Sequence, residues 1–379
     1  MRIFQNINVD FLGKRKLYYL ISGLLLLIGL ISVAFRGLEF GIDFLGGTEI
    51  VINFEKPVDI GKVRSYVENI GLGNVEIKTF GGETGVLLRT ELQESREIYP
   101  KLVSSISGAI NKYYPGLPLK VADSSSTTSV VYEFPSSDTA TGVVNILASQ
   151  GFQASKSIDD ATGKLVTVRV GIAEWIKQNL REKFPDNSFQ VLREEKIGPK
   201  VGNELKRDAV VALFLSLLVI LIYLAFRYKF IFGFGAVVAV FHDSLITLGL
   251  FSVLYGVIPG LNLEIDLTIV AAFLTLIGYS MSDTVVVFDR VRENMKIHKT
   301  DSLEQVINKS INQTMSRTIL TGGTSLMCLL VLVFFGGEVL RAFSFTLFFG
   351  IIIGTYSSIF VASALVFEYA KRSKKKVQF

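Results

Sequence analysis

An aspartate lies inside one of the chain's long apolar runs: Asp283, in TLIGYSMSDTVVVFDR. On insertion scales an ionisable side chain at the centre of a membrane span costs about 2.5–3.5 kcal/mol, so such a group is kept for pairing or for transport. Ser280, Ser282 and Thr284 surround it with hydroxyls. Burial and a nearby arginine act on a carboxylate's proton affinity in opposite directions, so an Asp alternating between them takes up and releases a proton. Arg317 opens the next apolar run from the same side. Asp283 and Arg317 read either as a proton relay or gated ion pair, or as a static lock between two helices.

His242 and Asp243 interrupt another run, in AVFHDSLITL. Neighbours on a helix point about 100° apart, so the two cannot both face one partner squarely. One of them suits a relay, with His the natural switch near neutral pH; the alternative is hydrogen bonding between helices. Asp266 stands at the mouth of the run that holds Asp283, either as a helix cap or as a proton access point. Asp289 reads as an interfacial ion pair with Arg290. Asp283 and Asp289, six residues apart, fall on different helix faces, which excludes a paired-carboxylate hydrolase. No nucleophile–base or metal-ligand spacing occurs, so the chain reads as no enzyme, with no cofactor, no metal and no nucleic-acid partner. The pairs Gly46-Gly47 and Gly81-Gly82 lack the Lys and Ser/Thr of a phosphate loop and read as turns. The single cysteine, Cys328, forms no intrachain disulfide and reads as a small packing residue.

The elements that must hold these groups follow from composition. Of 379 residues, 50% are hydrophobic and 19% charged, with a net charge of +5. That excludes a disordered chain, a coiled coil and an ordinary soluble enzyme. Six runs approach the roughly 20 residues a span needs: 17–35, 209–226, 230–256, 266–289, 316–336 and 341–367. The first is too long for a signal peptide and lacks its cleavage site. Lys and Arg cluster before the first run, between the second and third, between the fourth and fifth, and after the sixth. The bias predicts a cytoplasmic N-terminus (1–16), a basic cytoplasmic tail (368–379) and a large extracytoplasmic domain (36–208). Asp301 and Glu304 read as a capping box opening a short amphipathic surface helix over 301–313. Gly350 and Gly354 form a GxxxG packing signal.

The exterior segment alternates strand and helix periods in the order strand, helix, strand, strand, helix, strand, twice over. The fold class predicted is therefore a polytopic α-helical membrane protein of six transmembrane helices with a large extracytoplasmic α+β domain of ferredoxin-like type, in tandem. The split falls into 46–123 and 129–195, joined by a Ser124–Ser129 linker. One larger α+β domain is the other reading of the pattern. Either form suits binding or mechanical work, and an exposed sheet edge can take up an extended peptide.

Four segments carry a family resemblance: GIDFLGGTEI (Gly41 to Ile50), REEKIGPKVG (Arg193 to Gly202), IDLTIVAAFLTLIGYSMSDTVVVFDRVREN (Ile265 to Asn294) and NQTMSRTILTGGTSL (Asn312 to Leu326). The chain resembles the SecD/SecF family of bacterial protein-export membrane proteins over nearly its whole layout. GIDF in place of a GLDL-type start points to the SecF branch. The resemblance implies half of a resistance-nodulation-division transporter, with SecD supplying the other six spans. It marks Gly41, Asp43, Gly46 and Gly47 as the family motif after the first span. It assigns Asp283 and Arg317 a proton-coupled role. The partners it implies are SecD, the SecYEG channel, YajC and YidC, with preprotein as substrate and the cytoplasmic (inner) membrane as location. The family role is export and release of preproteins driven by the proton motive force. The exterior region is about twice the size usual for this branch. Two other readings stay open: half of a proton-driven lipid or drug exporter, and a non-transporting scaffold for the Sec channel.

Overall fold

The computed structural model describes residues 8–68, 70, 72, 75–91, 98–123, 129–150, 152–157, 160, 162–228, 230–258 and 261–373. Most of the expected Ser124–Ser129 linker and the end of the basic tail lie outside the described residues. The chain divides into two units: residues 42–203, and the remainder, which carries both ends.

The first apolar run forms α1 (Arg15–Arg36). The sheet-bearing unit opens with the single turn α2 (Ile42–Leu45) and continues as β1 (Gly47–Phe54), α3 (Ile60–Glu68), β2 (Val75–Thr79) and β3 (Gly85–Thr90). Next come α4 (Ile98–Tyr113), β4 (Lys120–Asp123), β5 (Ser129–Glu133), α5 (Ser137–Ser149), β6 (Ala154–Lys156) and β7 (Leu165–Arg169). The unit closes with α6 (Ile172–Lys183) and β8 (Phe189–Ile197). These elements form where the periodicity predicts them, but their pairing differs from a tandem. One antiparallel sheet has the order β2-β3-β1-β8 and the other β4-β5-β7-β6. Each order is ferredoxin-like. The helix–strand pair α6–β8, expected to close the second repeat, closes the first sheet instead, and α4–β4 closes the second. One module is thus inserted into the other, and the expected split into 46–123 and 129–195 is corrected.

Strand length and helix face explain the exchange. β1 is buried along almost its whole length between β3 and β8, and the long β8 matches it from Gly47–Ile197 to Phe54–Phe189. The short β4 spans only part of β5. Ile172, Ile176 and Leu180 of α6 join the core of Ile50, Ile52, Val63 and Leu88, while Leu102, Ile106 and Ile110 of α4 join that of Tyr132, Val166 and Val168. Trp175 packs against both cores and donates from its indole N–H to the Ile70 carbonyl oxygen at 3.0 Å. The buried charges of this unit, Glu49, Arg89, Glu174 and Lys177, are each paired. Lys177 meets Glu174 at 2.6 Å and Glu194 at 3.0 Å. Burial pushes the Glu174 carboxyl up, against the pull of Lys177.

The remaining helices are α7 (Pro199–Arg227), α8 (Phe230–Leu254), α9 (Leu267–Ile297) and α10 (Leu303–Phe335). They are followed by α11 (Gly337–Ser357), a π-helical turn (Ser358–Ala362) and α12 (Ser363–Ser373). Among the described residues six helices, counting the last three segments as one, are long and apolar enough to cross a membrane. Several expectations are corrected here. The surface helix predicted over 301–313 and the fifth span are one helix, because the apolar face of Val306, Ile307 and Ile311 is buried in the core and not laid on a surface. Its cap is one residue later than predicted: Ser302 accepts from Gln305 N while the Gln305 side chain accepts from Ser302 N, a reciprocal box. Asp289 pairs with Arg227 at 3.5 Å, whereas Arg290 binds Glu293 and Gln313. Cys328 is exposed and packs no interior of this chain. Before α1, Phe11 and Leu12 are buried, and Asn308 Oδ1 accepts from both of their backbone N–H groups.

Candidate functional site

Polar side chains from four helices meet within the apolar bundle. Asp243 of α8 is fully buried, and Asp283 of α9 is half-buried. Ser280 lies one turn before Asp283 on the same face of α9, and its hydroxyl donates to Asp243 Oδ2 at 2.6 Å. A second hydroxyl, Ser357 of α11, donates to the same oxygen at 2.7 Å. His242 Nδ1 lies 2.9 Å from Asp243 Oδ1, and the imidazole turns back on its neighbour to make that contact. Its buried Nε2 has no hydrogen-bond partner among the described residues. The two neighbours thus serve one network even though their side chains leave the helix in different directions.

Asp283 is held in the same manner. Thr318 of α10 donates to Oδ1 at 2.9 Å, and Ser358 donates to Oδ2 at 3.3 Å. Arg317 precedes Thr318, is exposed, and acts on Asp283 electrostatically without an ion pair between them. Among the described residues no Lys or Arg pairs with either carboxylate. Glycine makes the close packing available: a Cβ on Gly354 would stand 3.0 Å from Ser280 Cβ, and one on Gly350 would stand 2.5 Å from a Leu276 methyl. The GxxxG pair therefore faces α9 inside this chain.

Asp266 is elsewhere. Its Oδ1 accepts from Ile269 N at 2.8 Å as the cap of α9, with about 25 Å of helix between it and Asp283. Gly41 packs there: its N–H donates to the Ile265 carbonyl oxygen at 2.8 Å, and a Cβ would meet Asp266 Cβ at 3.0 Å. Asp43 lies in the first turn of α2. Gly46 and Gly47 have φ of +74° and +122° and turn the chain from α2 into β1. A Cβ on Gly47 would lie 2.3 Å from the Thr90 carbonyl oxygen. Gly47→Ala is therefore expected to destabilise the sheet-bearing unit by about 3 kcal/mol, combining a left-handed backbone with a blocked Cβ. Gly116→Ala, at φ +79° with open space around it, is expected to cost about 1 kcal/mol. Denaturant unfolding of the two purified variants checks the difference.

Thr318, Ser357 and Ser358 carry no residue type or spacing that sets them apart from other hydroxyls of the apolar runs. The available signal was the run TYSSIF in the middle of the sixth apolar stretch.

Among the described residues, six apolar helices, two of them carrying carboxylates held by hydroxyls, and a sheet-bearing unit between the first two in chain order define a multi-pass membrane protein. Comparison with known proteins gives the particular family. The family description "Protein export membrane protein SecD/SecF, C-terminal" matches residues 176–372, and the "SecD/SecF GG Motif" matches residues 31–58. The chain is 39% identical to the protein translocase subunit SecF of Rhodothermus marinus, over 98% of this chain and 97% of that protein. It is 38% identical to that of Koribacter versatilis, over 97% of this chain and 93% of that protein. Among solved structures it is similar to SecDF, a translocon-associated membrane protein from Thermus, with a TM-score of 0.67 and 29% identity. That match covers 97% of this chain but 39% of SecDF, so the chain spans about two fifths of that protein. The chain belongs to the SecD/SecF family of protein-export membrane proteins. Its role is that of an accessory subunit of the Sec protein translocase, and it is not an enzyme.

Proposed function

We propose that the chain is the six-helix half of a proton-driven accessory complex, with a SecD-type protein supplying the other half. The assembly draws preproteins from the SecYEG channel and releases them on the outer side of the cytoplasmic membrane. Both chain ends lie in the cytoplasm and the nested sheet unit lies outside, a reading supported by the Lys and Arg at alternate span ends. YajC and YidC are further partners of the same complex.

One observation carries the proton reading: among the described residues, two intramembrane carboxylates are held by hydroxyls, with His242 beside one of them and no Lys or Arg paired to either, while Arg317 stands next to the residue that binds Asp283. Such a carboxylate binds or releases a proton as its surroundings change. Proton binding at Asp283 removes its attraction to Arg317 and frees α9 and α10 to shift. The test is preprotein export into vesicles, with the chain present or depleted, with and without an imposed proton gradient. The gradient-dependent part of export is expected to disappear on depletion. A gradient effect of equal size in both preparations would favour the scaffold reading.

A further inference from the structure

The sixth span does not run as a uniform α-helix. Ser358–Ala362 forms a π-helical turn, and Ser363 Oγ donates across it to the Ser358 carbonyl oxygen at 3.0 Å. A π turn inserts one residue into a helix and swings the neighbouring side chains about its axis. Here two consecutive serines serve two different helices. Ser357 reaches Asp243 of α8, and Ser358 reaches Asp283 of α9. Both serines are fully buried. Each also has an acceptor on its own helix, the Gly354 carbonyl oxygen at 3.1 Å for Ser357 and the Thr355 carbonyl oxygen at 3.0 Å for Ser358. A hydroxyl has one proton to donate, so each serine divides it between a carboxylate and the backbone. An ionised carboxylate is the stronger acceptor, and protonation weakens its hold. The serines are adjacent at the start of one turn, so the two carboxylates bind the same short piece of backbone.

We propose that Ser357 and Ser358 are positioning residues that join Asp243 and Asp283 into one coupled pair of proton-binding carboxylates, with the π turn as the element that responds to their joint charge. This rests on the proton-coupled reading above. The titratable and charged groups that bear on the pair are His242 of α8 against Asp243 and Arg317 of α10 near Asp283. Tyr356 of α11 is engaged with Ser22 and the Tyr18 carbonyl oxygen of α1, and Tyr279 of α9 with Ser325 of α10.

The test is infrared difference spectroscopy of the full chain assembled with its SecD-type partner, titrated with pH. The carbonyl band of protonated Asp283 is assigned by its loss in Asp283→Asn. Ser357→Ala, Ser358→Ala and Asp243→Asn are each expected to displace the midpoint of that band by about one pH unit, a tenfold change in proton affinity. Ser357→Thr and Ser358→Thr, which keep the hydroxyl, are expected to restore it. Alanine is well accepted in helices, and co-purification with the partner checks assembly. A band that titrates unmoved in Ser357→Ala and Asp243→Asn overturns the coupling and leaves the proton reading standing. The absence of any titrating band assignable to Asp283 overturns both.

Discussion

Cells carrying Asp283→Asn are expected to lose the proton-driven part of preprotein export while keeping normal amounts of the chain in the membrane. The substitution is nearly isosteric. Its amide oxygen still accepts from Thr318, and Ser358 still has the Thr355 carbonyl oxygen to bind. Packing of α9 against α10 and α11 is therefore retained, and titration alone is lost. One charge crossing a potential of 100 mV is worth about 2.3 kcal/mol, which biases a two-state equilibrium roughly 50-fold. Loss of the titrating group removes that bias, so export is expected to fall to the level seen without a proton gradient. Asp283→Glu, which keeps the carboxyl, is expected to retain part of the activity. The measurement is export of a reporter preprotein, with membrane level and partner co-purification followed in parallel. Undiminished export in Asp283→Asn would make the residue structural and favour the scaffold reading.

Arg89→Met is expected to act in the opposite way, by removing the protein and not its chemistry. Arg89 Nε and Nη2 donate to Glu49 Oε2 at 2.9 and 2.6 Å, and Nη1 donates to Glu76 at 3.1 Å. Glu49 is 1% exposed on the central strand of the first sheet, with Arg193 on its other oxygen. Deleting one partner of a buried pair leaves an uncompensated charge and costs about 3–5 kcal/mol, a large part of the 5–15 kcal/mol that holds a domain folded. Replacing both partners, as in Glu49→Leu with Arg89→Met, is expected to recover most of the loss, because the charge that needed compensation is gone. Equilibrium unfolding followed by fluorescence of Trp175, the single tryptophan, reads the change from a residue that touches both cores. A double variant no more stable than Arg89→Met alone would show that the cluster matters for its packing and not for its charge balance.

These two variants also separate the kinds of information the sequence carries. Asp283 was legible because a carboxylate in an apolar run is anomalous wherever its partners lie. The partners were not legible. Serine and threonine are common in membrane helices, where they bond the carbonyl one turn back, as Thr284 does with Ser280 here. Nothing local distinguishes Ser357 and Ser358 from such residues. Asp289 shows the same limit, since its neighbour Arg290 looked like the natural partner and the one it takes is Arg227, from another helix.

The sequence by itself determined the number and order of the apolar helices, the local strands and helices of the sheet-bearing unit, and the presence of charge within the apolar runs. Those properties depend on residue type and period along the chain: about 20 apolar residues span the hydrocarbon, and alternation or 3.6-residue spacing selects strand or helix. The tertiary structure decided which elements pair. A tandem and a nested arrangement share one order of strands and helices, and only the match in length between β1 and β8 and the apolar face of α6 choose between them. It also decided the meeting of Asp243 and Asp283 at one turn, because a single π insertion leaves hydropathy unchanged while rotating the serines that join them.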